Sequence, residues 1–308
     1  FVFMSEALDG GAVTYRSSRH FDVLNENLLF SLKAADSSGS YRQALENRKS
    51  AYGQSLILLN NVSHDEENHG DPWQAFIRYA AMSAHAGIPM TFMGQELGAS
   101  TTYGFNHYET NFGKQIPHFK RYNSMQPIWD NNDFGLDQLY KAYASVAKAR
   151  NTSPALRSPN RYFLNESSSN AAHPKIHAVA KWGLEGSSPA SSEVVLAFVN
   201  LDRDNARSGT FDLSPEGKQD FLGIGEERLY NVTNLAAFSE LQRDNFLWTE
   251  ARTGKDLLEN GIFVKLNPVP NNEESWGNAP FEAQFLKLHD LTSPALEVNG
   301  AIGGTAFG

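Results

Sequence analysis

Short apolar runs alternate with helix-length segments from residue 1 to about residue 155, and no other feature constrains the fold of this chain as tightly. The runs fall at residues 1–4, 20–24, 55–60 and 88–93, and segments with helical length and period lie at 25–33, 41–52, 72–85 and 136–149. Strand, helix and strand in succession make a parallel β/α unit, because a parallel neighbour is reached only by a crossover long enough to hold a helix. Pro72 stands where a first helical turn tolerates it, Asp71 precedes it as an N-cap, and Gly87 with Pro89 stops the helix at its other end.

From about residue 156 the pattern changes. Runs at 175–182, 193–201, 229–234, 261–266 and 282–288 are separated by clusters of Gly, Ser, Pro and Asn, the signature of antiparallel strands joined by turns. The expected organisation is α/β over residues 1–155, an all-β antiparallel sandwich over 156–291, and a flexible glycine-rich tail or linker over 292–308. Residues 94–135 carry no period and exceed an ordinary connection, so a functional loop is expected there. The chain opens on an apolar run without an initiator methionine, and a longer protein is expected.

With 41% hydrophobic residues in 308 positions, each part can bury a core. A net charge of -9 offers no basic face for phosphates, which excludes nucleic acid and favours a neutral substrate. The absence of cysteine removes disulfides, thiolate metal sites and thiol nucleophiles. No apolar run is long enough to make a membrane-spanning helix, so no membrane partner is expected. His64 and His69 lack the spacing of a helical zinc pair, and no metal is assigned.

Three segments carry candidate chemistry. The first, Phe1-Val2-Phe3-Met4-Ser5-Glu6, is an apolar strand ending in a carboxylate and followed by Gly10-Gly11. A carboxylate at the C-terminal tip of a parallel strand points into the mouth where α/β sites gather, so Glu6 is either a general acid or a solvated strand-end acid. The second runs from an apolar strand into Asn60-Asn61-Val62-Ser63-His64-Asp65-Glu66. Glycoside cleavage needs paired carboxylates and hydrogen bonds to ring hydroxyls, which Asp65 and His64 supply, unless they only cap the helix that begins near Pro72. The third is Gly87-Ile88-Pro89-Met90-Thr91-Phe92-Met93-Gly94-Gln95-Glu96, a strand that enters a polar turn.

In order and character these segments resemble the fifth, seventh and eighth barrel strands of glycoside hydrolase family 13, the α-amylase family, with residues 19–24 as the sixth. The resemblance implies the second half of a TIM (β/α)8 barrel followed by the family's C-terminal β domain. It implies an α-glucan or oligosaccharide as substrate and a retaining mechanism. Glu6 is then the catalytic acid and base, Asp65 the catalytic carboxylate that holds the distorted sugar, and His64 a substrate-binding residue that assists it. Glu96 takes a structural role at the barrel mouth. The family's nucleophile, an aspartate in a Gly-Phe-Arg-x-Asp type segment, has no match here. It and any calcium ligands are expected upstream, and no cofactor is assigned to this chain. Since retention needs nucleophile and acid about 5–5.5 Å apart, the chain by itself is expected to be inactive.

Two rival readings stand beside the hydrolase. Residues 63–66 are also similar to branching enzymes, which transfer glucan segments, and a non-catalytic carbohydrate-binding relative is the other. Trp73, Tyr103, Tyr108 and Trp129 are candidates for stacking on glucose rings, with core packing as the ordinary alternative. A half barrel leaves its first strand without a neighbour, so the isolated chain is expected to self-associate.

Overall fold

A computed structural model describes residues 1–6, 16–17, 21–25, 35–46, 52–61, 72–85, 87–92, 95–97, 136–164, 174–183, 192–214, 222–268 and 283–292. Its first part holds β1 (Met4–Glu6), β2 (Val23–Asn25), β3 (Leu56–Leu59) and β4 (Ile88–Pro89), in one sheet of order β1-β2-β3-β4. Every neighbouring pair is parallel. Helix α1 (Ser38–Glu46) lies between β2 and β3, and α2 (Pro72–Ser83) between β3 and β4. The apolar run at residues 1–4, which reads as a strand to be buried, is instead an exposed segment that enters a strand only at Met4. Among the described residues β1 has a partner on one side alone, and this leaves Phe1, Val2, Phe3 and Met4 uncovered.

Helix α1 starts three residues before its expected beginning at Tyr41, for a local reason. The Ser40 backbone N–H donates to the Ser37 hydroxyl at 3.2 Å while the Ser37 N–H donates to the Ser40 hydroxyl at 3.1 Å, so two amide donors at the helix start are satisfied reciprocally. After β4 come a 3-10 turn at Gln95–Leu97, the long α3 (Leu136–Thr152) and the short α4 (Pro154–Arg157). Ser153 caps α4 by accepting from the Leu156 N–H at 3.1 Å.

The second part adds β5 (Arg161–Phe163), β6 (Ile176–Trp182), β7 (Val194–Asn200), β8 (Arg207–Phe211), β9 (Leu229–Asn234), α5 (Glu240–Asp244), β10 (Arg252–Thr253), α6 (Gly254–Asn260), β11 (Ile262–Leu266) and β12 (Gln284–Asp290). Six strands form an antiparallel sheet of order β10-β9-β12-β7-β6-β5, and β8 pairs with β11 in a second, two-stranded sheet. Strand β7 is buried along its whole length because both faces are covered. Val195, Ala197 and Val199 pack against the helices, in one core with Phe76, Ile77 and Leu156. Leu196 and Phe198 face the other way, in a core with Phe211, Ile262 and Val264 of the small sheet. The unbroken apolar run in the sequence is the imprint of this double cover. Strand β11, with one solvated face, alternates instead: Ile262, Val264 and Leu266 are buried, Phe263 and Lys265 exposed. Gly261 before it has φ 66°, and an added Cβ would lie 2.3 Å from the Phe211 carbonyl oxygen, so only glycine serves.

The two parts meet along a seam with polar ties. Arg150 on α3 donates to the carbonyls of Ser83 (2.8 Å), His85 (3.2 Å) and Leu156 (2.6 Å), and also to that of Gly87, so one guanidinium ties the end of α2 and the turn after it to α4. Behind it His85 and His177 of β6 share a hydrogen bond between their Nε2 atoms at 3.1 Å. Arg161 of β5 pairs with Glu46 of α1 at 2.7 Å.

Candidate active site

The pleat of the parallel sheet decides which residues share a face. Leu24, Ile57 and Leu59 belong to the core beneath α2, so their strand neighbours Asn25, Leu58 and Asn60 turn to the opposite face. Glu6 stands beside Asn25 in register and receives a hydrogen bond from its amide, Nδ2 to Oε1 at 3.3 Å. Glu6, Asn25 and Asn60 therefore lie at the C-terminal ends of three adjacent parallel strands, on the face turned from the helices. This is the end at which α/β folds assemble their sites.

Two of these tips carry buried amide oxygens without a partner among the described residues. Asn25 is 7% exposed and Asn60 1%, and the Oδ1 of each accepts no hydrogen bond among the described residues. A buried amide oxygen left without a donor costs about 1–3 kcal/mol, so two at neighbouring strand ends hold acceptor capacity that a hydroxyl donor would satisfy. Glu6 is exposed at the edge of this group, free of the core.

A second network fixes the backbone that leads onward from β3. Asn61 donates to the Ala75 carbonyl of α2 at 2.7 Å and accepts at Oδ1 from Gln95 Nε2 at 2.9 Å. Gln95 also donates to the Tyr143 hydroxyl of α3 at 2.9 Å and accepts from the Phe92 N–H at 3.1 Å. Both donors and the acceptor of one buried amide are thus used to tie the end of β3, the 3-10 turn and α3 together. Burial pushes the Tyr143 hydroxyl well above the ordinary phenol range, against the lowering effect of its bond to Gln95, and so keeps it a neutral partner.

His64 and Asp65 lie outside the described residues, as do Tyr103, Tyr108 and Trp129. Trp73 is a core residue: it is buried and meets Phe76 edge to face at 5.9 Å, which removes it from the stacking candidates. Glu96 is half-buried in the 3-10 turn beside Tyr143. Asn25 and Gln95 are the residues that reading the sequence missed. The one available signal for Asn25 was a polar residue directly after the apolar pair Val23-Leu24, and that pattern also reads as the start of a turn. Among the described residues no cluster of three or more His, Asp or Glu is placed to hold a metal ion, and no helix is long and apolar enough to cross a membrane.

No protein-family model matches the chain, and no curated protein matches it by sequence. Solved structures do share its fold. The noncanonic maltogenic α-amylase AmyB from Thermotoga neapolitana aligns at TM-score 0.55 and 13% identity, over 93% of this chain and 54% of that one. A variant of AmyP in complex with maltotriose aligns at TM-score 0.52 and 12% identity, over 95% and 56%. An inactive double mutant of MutB in complex with isomaltulose aligns at TM-score 0.50 and 13% identity, over 93% and 55%. The mixed α/β architecture with its antiparallel sheets is that of these enzymes, and the chain spans about half the length of each.

Proposed function

We propose that this chain is the C-terminal portion of a glycoside hydrolase family 13 enzyme that acts on α-glucans with retention, Glu6 being its general acid and base. On this reading residues 1–155 are the second half of a (β/α)8 barrel, 156–291 a C-terminal β-sandwich, and 292–308 a tail or linker. The observation that carries the proposal is the position of Glu6: the C-terminal tip of a strand in a parallel sheet whose neighbours follow sequence order. The fold shared with a maltogenic α-amylase, and the share of that enzyme's length left uncovered, support it.

The steps follow from the carboxylates. An aspartate outside this chain attacks the anomeric carbon as the glycosidic C–O bond breaks, and Glu6 gives its proton to the departing oxygen. Glu6, now a carboxylate, takes a proton from water or from an acceptor hydroxyl, whose oxygen displaces the aspartate and restores it. Asp65 and His64 hold the distorted sugar by its hydroxyls. The unfilled acceptors on Asn25 and Asn60 suit a neutral polyhydroxylated substrate.

The test is the chain joined to its upstream barrel half, incubated with amylose. Release of reducing ends identifies a hydrolase, and formation of new branches a transferase, a choice that residues 63–66 do not decide. Glu6→Gln is expected to lower either rate by about 10²–10⁴-fold. A variant that keeps full activity would remove Glu6 from the mechanism, and an inert joined protein that still binds maltotriose would favour the carbohydrate-binding relative.

A further inference from the structure

We infer that the cavity between the N-terminal end of β3 and the start of β5 binds a small neutral sugar, at a site separate from Glu6. The cavity has a volume of about 390 Å³, within the range roughly 300–1,000 Å³ typical of small-molecule pockets. Leu56, the first residue of β3, lies on its wall, whereas Glu6, Asn25 and Asn60 stand at the opposite ends of the same parallel strands.

The lining selects the ligand by chemistry. Tyr52, Leu56, Ile57 and Pro159 make an apolar wall suited to the C–H face of a pyranose ring, and the Gln54 amide on the rim both donates and accepts. Among the described residues of the lining Arg161 is the one with a fixed charge, and Glu46 already takes its Nε at 2.9 Å and its Nη2 at 2.7 Å. An anion therefore finds the guanidinium matched, and a cation finds the carboxylate matched; a neutral ligand meets neither conflict.

His85 closes the inner wall. It is almost wholly buried, and its Nδ1 makes no hydrogen bond among the described residues. Whichever of His85 and His177 donates across their shared bond, that Nδ1 is left as a bare acceptor or an unused N–H. Burial and the surrounding cations keep this imidazole neutral, so the inner wall adds no charge to the lining.

The experiment is saturation-transfer NMR and calorimetric titration of this chain with maltose and glucose, with glucuronate as the charged counterpart. Maltose or glucose is expected to bind with a dissociation constant on the order of 1 mM, as befits a ligand of so few atoms, and glucuronate at least about tenfold more weakly. Leu56→Trp fills the cavity and is expected to abolish binding. Gln54→Ala, at an exposed rim position that no core depends on, is expected to weaken it about tenfold. Loss of binding in Leu56→Trp and its weakening in Gln54→Ala, both at the cavity and away from the strand tips, separate this site from Glu6 and from the outcome of the amylose assay. The inference is overturned if neither neutral sugar binds, if glucuronate binds as well as they do, or if folded Leu56→Trp and Gln54→Ala bind like the parent.

Discussion

Acidification from pH 7.5 to pH 4 should destabilise this chain through the histidine pair at its seam. His177 is completely buried, and burial pushes its imidazole from 6.5 down to about 4. His85 is pushed well below its ordinary value, first by burial and then by His177, Arg161, Lys181 and Arg150. Every charged neighbour named there is a cation, and Arg161 among them is itself paired with Glu46. Because the folded-state values lie below the unfolded one, the unfolded chain binds protons first. The stabilisation is complete above pH 6.5 and drains away as pH falls toward 4. For His177 a fall of about 2.5 units at about 1.4 kcal/mol each gives about 3 kcal/mol. His85 adds to it by less than its full share, since one shared proton already serves the pair. The measurement is urea unfolding of the chain at several pH values between 7.5 and 4. Across that range the wild type is expected to lose about 3 kcal/mol more than His85→Leu combined with His177→Phe, which keeps a ring against Tyr41. Equal slopes in the two proteins would refute the reasoning and assign the loss to Lys181 and the carboxylates.

Gln95→Leu strips the Asn61 amide oxygen, the Tyr143 hydroxyl and the Phe92 N–H of a partner at once, and is expected to cost about 3 kcal/mol in chemical unfolding; a loss under about 0.5 kcal/mol would show that the network is incidental. Lys181 is buried on β6, donates to the Ser158 carbonyl at 2.6 Å, and is lowered to about 6, by burial first and then by Arg150 and Arg161. Its folded value lies below its unfolded one, so wild-type stability should rise by about 1–3 kcal/mol between pH 7 and pH 9, and Lys181→Met should flatten that rise in the same assay. The exposed edge at Phe3 and Met4 should drive self-association of the isolated chain. Sedimentation velocity is expected to show concentration-dependent oligomers that Phe3→Lys with Met4→Lys disperses, and a monodisperse wild-type monomer would sink the half-barrel reading.

Periodicity is local, and what rests on it was legible in the residues. The parallel β/α alternation, the helix from Pro72, and the strands at Ile176–Trp182, Val194–Asn200, Leu229–Asn234 and Ile262–Leu266 were all readable because burial of a strand or helix face writes itself into consecutive side chains. The place of Glu6 at a strand end was readable for the same reason, as an acid that closes an apolar run. Strands β5, β8 and β10 were not: Arg161–Phe163, Arg207–Phe211 and Arg252–Thr253 are short and partly polar, and each is a strand because a distant partner supplies its hydrogen bonds. The continuous apolar run of β7 announced a buried strand but not what covers it, and that was settled when α2 and the β8/β11 sheet packed on its two sides. The same holds for the polar contacts that organise the molecule. His85 meets His177 across 92 residues and Gln95 meets Asn61 across 34. No local pattern encodes such pairs, because the energy that selects them comes from excluding water at a seam that exists only once both parts have folded.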